Sequence, residues 1–517
     1  EQRLYFAGTT SQPQTIFGSV SADFENQTPG TLDSDAVNLT IASDRVNVIR
    51  HLLPARFLQV LTTGAEFTLS GGTGSQPVTP TNVNVLRETT FGTSDIRPVR
   101  AGNSTILIQK GQEKVKEITF DLNTDGLLGI DLTILADHIP RGGLTDMVWQ
   151  QEPELILWFV HTDGRLVGLT YDRANAAVGW HDHNIGGTSA HATITVSDYA
   201  NIATGTTLVL TKSNGETVTF TSEAAGASSP SSALGFRPHS SNNTTADNIF
   251  TAVNAHADFV VENPAAAVVT IVEASPTPGG VLTIKSSDTT RLTTTDEARA
   301  VVESITAIPS GAEDQVYVSV KRVIDGSTVR HIEFIKTIEF GDDVTDAFFV
   351  DSGLTYDSTA TSTITGLNHL EGEVVSILAD GATHPDRTVS AGAITLDRSA
   401  SKVHVGYGYS SVLETLRIEA GADDGVAQGK IKRIHGVTAR LYKTVGVEFG
   451  PDLSNLDRLP FRNSSMAMDE AIPIFTGDKE VYFPSGYEND ARVVVRQIQP
   501  LPMTVLAIMR RSNTFDA

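Results

Sequence analysis

Short runs of alternating apolar and polar residues, separated by glycine-containing turns, predict strands along most of the chain. Residues 147–172, MVWQQEPELILWFVHTDGRLVGLTYD, give the clearest example. Residues 154–160 are apolar enough for a buried strand, a turn ending in Gly164 follows, and residues 166–171 run back. An antiparallel unit of this size cannot bury its own faces, so the pattern predicts neighbouring units of the same kind.

Three similar units occur elsewhere, at residues 46–70, 96–120 and 304–335. The first three of the four units begin about 50 residues apart, which is the period of a propeller blade. The gap before the last unit is about three periods wide, and removing residues 189–296 restores the spacing. The pattern therefore predicts an all-β-dominated, multidomain chain, in which a β-propeller carries a small inserted α+β domain and β-rich C-terminal domains follow. A sandwich of unrelated hairpins is the alternative.

The domain boundaries follow from this period and from changes in composition. The predicted domains are a discontinuous propeller at 1–188 and 297–341, the inserted α+β domain at 189–296, a small β domain at 342–440, and a β-rich C-terminal region at 441–517 that packs on the preceding domains. The first part of the small domain, residues 342–364, is polar and is predicted as a linker.

The insertion has a composition of its own. Strands are predicted at 192–196 and 207–211, and a hairpin turn is predicted at Asn214–Gly215. Residues 223–243 are rich in Ser, Ala, Pro and Asn and predict a mobile loop. Apolar residues at helical spacing after a Thr-Ala-Asp start predict a short helix over 245–257. We expect this module to project from a blade edge, where it either contacts a neighbouring protein or is a surface module without a binding role.

The totals exclude several classes of protein. The 517 residues include no cysteine, which excludes disulfides, cysteine-based zinc sites and thiol catalysis. No apolar run approaches the roughly 20 residues of a membrane span. The start at Glu1 has no signal-peptide pattern, and we expect residues upstream of it to have been lost.

The chain is strongly acidic, with 61 Asp and Glu against 38 Lys and Arg and a net charge of −23. A surface of this kind does not grip a phosphate backbone, because that requires clustered Lys and Arg. Solubility alone is one explanation of the charge. The other explanation is a surface that nucleic acid passes without binding to it.

One segment resembles the first half of a calcium-binding loop. Asp121, Asn123 and Asp125 place oxygen ligands at alternate positions, and Gly126 occupies the sixth. The twelfth position holds Leu132 instead of Glu, so the segment is not an EF-hand. A calcium loop of another type and a plain acidic turn remain as alternatives, and the acidic turn is the preferred one.

Other candidate chemistry is weaker. His181 and His183 lie on one face of a predicted strand and could bind zinc, but no third ligand is evident and structural hydrogen bonding is the preferred interpretation. Glu152 and Glu154 flank Pro153 and are predicted as turn residues. No nucleophile elbow, Walker loop or zincin helix is present. The sequence therefore predicts a protein that is not an enzyme, with no catalytic residue and no cofactor.

Several stretches carry a resemblance to a known family. They are residues 3–9 (RLYFAGT), 12–19 (QPQTIFGS), 65–70 (AEFTLS), 147–153 (MVWQQEP) and 178–181 (VGWH). Together they resemble the tail nozzle family of short-tailed bacteriophages, also called tail tubular protein B or stabilisation proteins. The resemblance covers most of the chain outside the insertion. Residues 365–372 and 374–379 also resemble the small β domain likened to the first catalytic cysteine half-domain of ubiquitin-activating enzymes, but without cysteine only the fold carries over.

The tail nozzle resemblance implies a structural virion protein. In that family six subunits form a ring below the portal and adaptor, contain a propeller, help to dock tail fibres and form the distal channel for double-stranded DNA. The implied location is the phage tail, assembled in the host cytoplasm, with the adaptor and tail fibres as partners. The alternative is a carbohydrate-binding or depolymerising β-propeller acting at the host surface. An aromatic cleft with paired carboxylates would favour this alternative. A secreted adhesin is a weaker third possibility.

Overall fold

The structure is a computed structural model with side chains. It describes the whole chain except residues 1, 44–45, 73–75, 124, 184, 187–190, 213–215, 227–228, 262–263, 265–266, 274–281, 298–299, 325–326, 420, 423–424, 427, 465, 467–470, 484–485 and 516–517. The predicted turns at Asn214–Gly215 and Asp325–Gly326 lie outside the described residues. By its contacts the chain divides into two compact units. The first comprises Glu1–His183, Val301–Val320 and Ile332–Ile335, and the second comprises the remainder.

Antiparallel sheets whose strands follow chain order make up most of the first unit, and Val301–Val320 and Ile332–Ile335 complete it. The first sheet contains β1 (Tyr5–Ala7), β2 (Thr15–Gly18) and β3 (Val37–Thr40). The second contains β4 (Ile49–Pro54), β5 (Leu58–Thr62), β6 (Glu66–Ser70) and β7 (Asn84–Thr89). The third contains β8 (Val99–Ala101), β9 (Ser104–Ile108), β10 (Val115–Asp121) and β11 (Gly126–Asp131). The fourth contains β12 (Leu144–Gln150), β13 (Ile156–His161), β14 (Leu166–Asp172) and β15 (Ala177–His183).

Successive sheets of this unit pack on one another in chain order. Strand β1 contacts β4, β7 contacts β11, and β8 contacts β12. The buried cores lie between neighbouring sheets, as where Leu61 of the second sheet meets Leu107 and Ile118 of the third. Meander sheets that bury their faces against the next sheet are the blades of a β-propeller. The predicted fold class, β-dominated and multidomain with propeller blades, is confirmed.

Each four-stranded blade adds an outer strand to the three of its predicted unit, and at β15 the sequence had indicated a strand around His181 and His183. The additional strands, β7, β11 and β15, are the outer ones and pair with a neighbour on one side only. Their side chains are mostly exposed or half-buried, whereas β5 is almost entirely buried. An outer strand buries too little of either face to need an apolar alternation, so its pattern resembles that of a loop.

Two sheets and one helix form the insertion around a single core. Its elements are β16 (His191–Val196), a 3₁₀ turn (Tyr199–Asn201), β17 (Thr207–Thr211), β18 (Thr217–Ser222), β19 (Gly235–Phe236), α1 (Asn242–Asn254), β20 (Phe259–Val261), β21 (Val268–Glu273), β22 (Thr283–Ser286) and β23 (Leu292–Glu297). The sheet orders are β20-β21-β16-β23 and β19-β18-β17-β22. The first and last strands, β16 and β23, are antiparallel partners, so the module begins and ends at one place.

The segment 223–243, predicted as a mobile loop, is not a loop throughout, because β19 and the first residues of α1 lie in it. The Glu223 carboxylate accepts hydrogen bonds from the backbone N–H groups of Ser231 and Ser232 and from the Arg237 guanidinium. Beside it, β19 pairs in parallel with β18 and the Phe236 side chain is fully buried. The helix begins at Asn242, three residues earlier than predicted, because the Ser241 hydroxyl accepts from the Thr244 N–H as an N-cap.

Strands are again the main regular secondary structure among the described residues of the remaining chain. A three-stranded sheet contains β24 (Val301–Ser310), β25 (Glu313–Ile324) and β26 (Ser327–Phe334). A four-stranded sheet, ordered β27-β30-β28-β29, contains β27 (Asp351–Thr365), β28 (Val374–Ala379), β29 (Ala382–Thr388) and β30 (Ala393–Tyr407), with 3₁₀ turns at Val344–Asp346 and Asn368–Leu370. The C-terminal sheets, ordered β31-β38-β35-β36, β32-β33 and β37-β34-β39, contain β31 (Ser411–Glu414), β32 (Gly421–Ala422), β33 (Gly425–Val426), β34 (Ile431–Thr444), β35 (Glu448–Gly450), β36 (Asp457–Arg458), β37 (Phe475–Val481), β38 (Val494–Gln497) and β39 (Thr504–Phe515).

Two predictions for the second half of the chain do not match these strands. The polar segment 342–364 is not a linker throughout, because β27 occupies most of it and pairs with β30. Strand β34 crosses the boundary placed between residues 440 and 441, and it pairs with β37 and β39 along its length. Polar alternation with many Thr and Ser residues is compatible with an edge strand, which explains why β27 resembled a linker.

Candidate functional site

The calcium-loop candidates close a hairpin. Asp121 ends β10 and lies opposite Gly126, the first residue of β11. The backbone N–H and the side-chain amide of Asn123 both donate to Asp121 Oδ1 at 3.2 Å. Asp125 has a φ of 46°, the left-handed conformation that tight turns require. Thr124 lies outside the described residues. The segment therefore has the geometry of the acidic turn that the sequence offered as an alternative.

The next carboxylate along the chain is already occupied. Asp131 accepts from Lys116 Nζ at 3.0 Å and from the Thr133 N–H at 2.9 Å. Although burial alone would raise the pKa of Asp131, these hydrogen bonds lower it. Across the part of the chain that the structure describes, no group of three or more His, Asp or Glu side chains is placed to hold a metal ion.

The two histidines of β15 contact each other directly. His181 Nδ1 and His183 Nε2 are 2.6 Å apart, and His181 Nε2 lies 3.4 Å from the Thr170 hydroxyl. Two proton arrangements satisfy this network: the Thr170 hydroxyl donates to His181 and His181 Nδ1–H to His183, or His183 Nε2–H donates to His181 and His181 Nε2–H to Thr170. Nitrogens this close share a hydrogen bond, as the preferred interpretation of the sequence expected.

An apolar enclosure formed by Trp158 and Gly168 covers part of the pair, and both imidazoles are half-buried. The Trp158 ring lies edge-on to both imidazoles, with centroid distances of 5.8 Å to His181 and 4.9 Å to His183. Gly168 of β14 lies beneath His181, and a Cβ atom there would be 2.0 Å from His181 Cε1. Burial lowers the pKa of His181, and burial together with the neighbouring His181 lowers the pKa of His183 to about 3. Both rings are therefore neutral at physiological pH.

The opposite face of β15 carries a separate charged network. Asp182, between the two histidines in sequence, pairs with Arg165 at 3.0 Å, and Arg165 also pairs with Asp163 at 2.8 Å. Burial would raise the pKa of Asp163, but hydrogen bonds from His161 and Arg165 lower it to about 2. Since alternate residues of a strand face opposite sides, this network stays apart from the imidazole pair.

The stretches that resemble the tail nozzle family fasten sheets and turns together. The Arg3 guanidinium donates to the carbonyl oxygens of Ser19 and Asp35, both at 2.6 Å. In the MVWQQEP stretch, the Gln151 N–H donates to Asp314 at the start of β25, at 2.8 Å, although the two residues are far apart in sequence. Trp180 Nε1 donates to the Leu132 carbonyl oxygen at 2.8 Å. These contacts hold the architecture together and do not form a reactive centre.

The predicted turn carboxylates lie beside this contact. Glu152 and Glu154 lie between β12 and β13, and the Glu152 N–H donates to Asp314 at 3.3 Å. Burial first, and the charge of Glu313 second, raise the pKa of Glu154. Their position is that of turn residues, as expected.

One groove in the second unit was not predicted. It has a volume of about 250 Å³ and lies on the segment between β26 and β27. Its lining includes Lys336, Thr337, Ile338, Glu339, Phe340, Asp346, Phe348 and Phe349. Lys336 Nζ lies 4.7 Å from the centre of the Phe348 ring. The only signal in the sequence was the density of phenylalanine in a polar stretch, which a linker assignment passed over.

Both groove carboxylates are paired with lysines from other strands. Glu339 pairs with Lys443 at 2.8 Å, and Asp346 pairs closely with Lys402. The hydrogen bond from Lys443 lowers the pKa of Glu339. A general acid working near neutral pH needs a raised pKa, so this arrangement suits binding better than acid catalysis.

Comparison with known proteins adds little to this description. No family model and no curated protein matches the chain. Among solved structures, the N-terminal domain of Nup159 is similar at 10% sequence identity, over 87% of this chain and 89% of that chain, with a TM-score of 0.19. A similarity this weak carries no argument, so the fold assignment rests on the sheets themselves. No helix among the described residues has the length and apolar character of a bilayer span.

Proposed function

We propose that the chain is a structural virion protein, the tail nozzle of a short-tailed bacteriophage. It assembles as a ring, a hexamer by its family resemblance, below the tail adaptor. The ring conducts double-stranded DNA during ejection and helps to dock tail fibres. The observation that carries the proposal is the excess of 61 acidic over 38 basic residues in a chain with propeller blades and nozzle-like stretches.

The proposed mechanism is electrostatic. Carboxylates that line the lumen repel the phosphates of passing DNA, so the duplex slides without being held. At physiological salt such repulsion reaches only about 8 Å, so it acts within a narrow channel and hardly beyond it. Ring closure also gives exposed strand edges a neighbouring subunit to cover them.

The native mass of the purified chain tests the ring. We would measure it by light scattering, alone and with the tail adaptor and fibre proteins of the same phage. A hexamer, or a monomer that becomes a ring on the adaptor, supports the nozzle. A persistent monomer or trimer in both conditions contradicts it. A ring whose lumen proves neutral or basic contradicts the electrostatic mechanism separately.

The groove favours one second candidate, a carbohydrate-binding propeller protein at the host surface. Aromatic rings with nearby polar groups are typical of sugar-binding sites, and Phe348 and Phe349 supply rings beside Lys336. Because Glu339 and Asp346 are both ion-paired, this candidate is a binding protein and not a depolymerase. Phe348→Ala should abolish retention on immobilised host surface glycan, while the exposed Phe24→Ala should not. Equal retention of the two variants removes this candidate.

A further inference from the structure

The imidazole pair lies on β15, which is the edge strand of its sheet. In the order β12-β13-β14-β15, strand β15 pairs only with β14, so it can leave without disrupting the inner strands. It is also the last strand before the chain enters the insertion at β16. We propose that His181 and His183 form an acid-sensitive clasp, which holds β15 in its sheet at neutral pH and releases it when the pair gains a proton.

Proton counting on the pair supports this role. The 2.6 Å contact between His181 Nδ1 and His183 Nε2 has room for one hydrogen, donated by one ring and accepted by the other. A second proton taken from solvent onto this contact leaves two N–H groups facing each other. A proton on either of the remaining ring nitrogens places a positive charge inside the enclosure instead. Both outcomes weaken the hold on β15.

Among the described residues, no carboxylate affects the pKa of either histidine, so none compensates such a charge. Trp158 of β13 and Gly168 and Thr170 of β14 face the pair, and none of these residues titrates. The Trp158 indole N–H is itself engaged, since it donates to Gln150 of β12 at 2.8 Å. The nearest carboxylate in sequence, Asp182, pairs with Arg165. An unpaired charge in such a place favours opening.

The pH range follows from the sign of the shifts. Burial holds the pKa values of both histidines below their ordinary 6.5, with that of His183 at about 3. The folded sheet therefore binds fewer protons than the opened one. The hold of the clasp is complete above about pH 6.5 and weakens as the pH falls toward 3. One proton changes the opening equilibrium about tenfold per pH unit, which gives about 30-fold between pH 7.5 and pH 5.

Hydrogen exchange at the β15 amides of the full chain tests the clasp, after correction for the intrinsic pH dependence of exchange. We expect protection of β15 to fall about 30-fold between pH 7.5 and pH 5, and protection of β13 to change much less. His183→Gln and His181→Gln should each flatten this dependence. The exposed His435→Gln, in β34, is the matched control and should keep the wild-type slope.

Fluorescence provides a second readout. All three tryptophans of the chain, Trp149, Trp158 and Trp180, lie in this one sheet. Opening of β15 should shift the emission to longer wavelength on acidification in the wild type and the His435 variant. The proposal is overturned by unchanged protection of β15 down to pH 5, by an equal loss of protection in β13, or by a wild-type slope in both clasp variants that fold. If neither clasp variant folds, the wild-type comparison of β15 with β13 decides alone.

Discussion

Glu66 provides a sharp test of how the second and third sheets are joined. Its side chain is fully buried in β6, where it accepts hydrogen bonds from the hydroxyls of Thr89 and Thr93, at 2.5 and 3.1 Å, and from the Phe91 N–H at 3.2 Å. All three donors lie on the segment that leads from β7 toward β8. This one carboxylate therefore fixes the crossing between two blades.

Glu66→Ala should destabilise the protein by about 2 to 4 kcal/mol at pH 7. The Phe91 N–H loses its acceptor inside the protein, which by itself costs about 1 to 3 kcal/mol. The two threonine hydroxyls can rotate to other acceptors, but a cavity remains. Removal of a buried charge offsets part of the loss. Glu66→Gln keeps an acceptor of the same shape and should cost about 1 kcal/mol or less.

Urea denaturation measures the free energy of unfolding, and hydrogen exchange at Phe91 reports the crossing itself. The exposed Glu25→Ala is the matched control and should stay within about 0.5 kcal/mol of the wild type. This role of Glu66 is contradicted if Glu66→Ala has the same free energy of unfolding as that control. It is also contradicted if the Phe91 amide exchanges as slowly in the variant as in the wild type.

The same site predicts a pH dependence. Burial raises the pKa of Glu66 above its ordinary 4.5, against the hydrogen bonds from Thr89 and Thr93. The folded state therefore binds the proton more tightly than the unfolded chain, and its contribution to stability is present below pH 4.5 and is lost as the pH rises through the folded pKa. Glu66→Gln lacks this loss, so its stability relative to the wild type should improve from pH 4.5 upward. A difference that is constant with pH contradicts this assignment.

Three further outcomes follow from the structure. Ser241→Ala removes the N-cap of α1 and should lower the stability of the insertion by about 1 kcal/mol, measured by thermal unfolding. Ser231→Gly changes the preceding loop and leaves the cap intact, so it separates loop effects from helix effects. A chelator should leave the melting temperature of the wild type and of Asp125→Ala unchanged, because the turn at Asp121 closes through its own hydrogen bonds; a chelator-dependent shift contradicts this. Replacing residues 192–296 by a short Gly/Ser linker should leave the tryptophan emission of the remainder unchanged, since β16 and β23 are neighbours, and a red shift would show that the remainder needs the insertion.

The inner strands of the blades were predictable from sequence, whereas the outer strand β15 was indicated only around His181 and His183, and β11 was missed. Strand β14 was predicted at residues 166–171 and is found at Leu166–Asp172, because a strand buried on both faces leaves an apolar run between turns. Gly102 and Gly164, with φ of 58° and 87°, mark the turns where expected. The outer strand β11, in contrast, is half-exposed, and its residues were assigned to the apparent calcium loop instead of a strand.

The other failures came from single residues that act over a distance. Nothing local in the Ser- and Pro-rich segment after Glu223 indicates order, yet one buried ring, Phe236, and one carboxylate that gathers donors from the segment hold it in place. The imidazole pair was partly predictable, since the two-residue spacing placed both rings on one face. Its enclosure was not, because Trp158 and Gly168 come from two other strands.

The hydrogen bonds that stabilise the fold and the acidic charge that supports the proposed function are carried by different residues. Arg3, Gln151 and Trp180, which carry much of the nozzle resemblance, make hydrogen bonds that fasten sheets and turns. Such contacts stabilise the sheets of any protein with this architecture, so they carry no information on function. The acidic excess is independent of the fold, because surface charge contributes to solubility and association and does not specify strand pairing. Exchanging the lumen carboxylates of the proposed ring for amides therefore separates the contribution of the charge from that of the architecture. A ring that still forms but retains DNA would tie the charge to conduction. Unchanged release of DNA would show that the charge has no part in conduction.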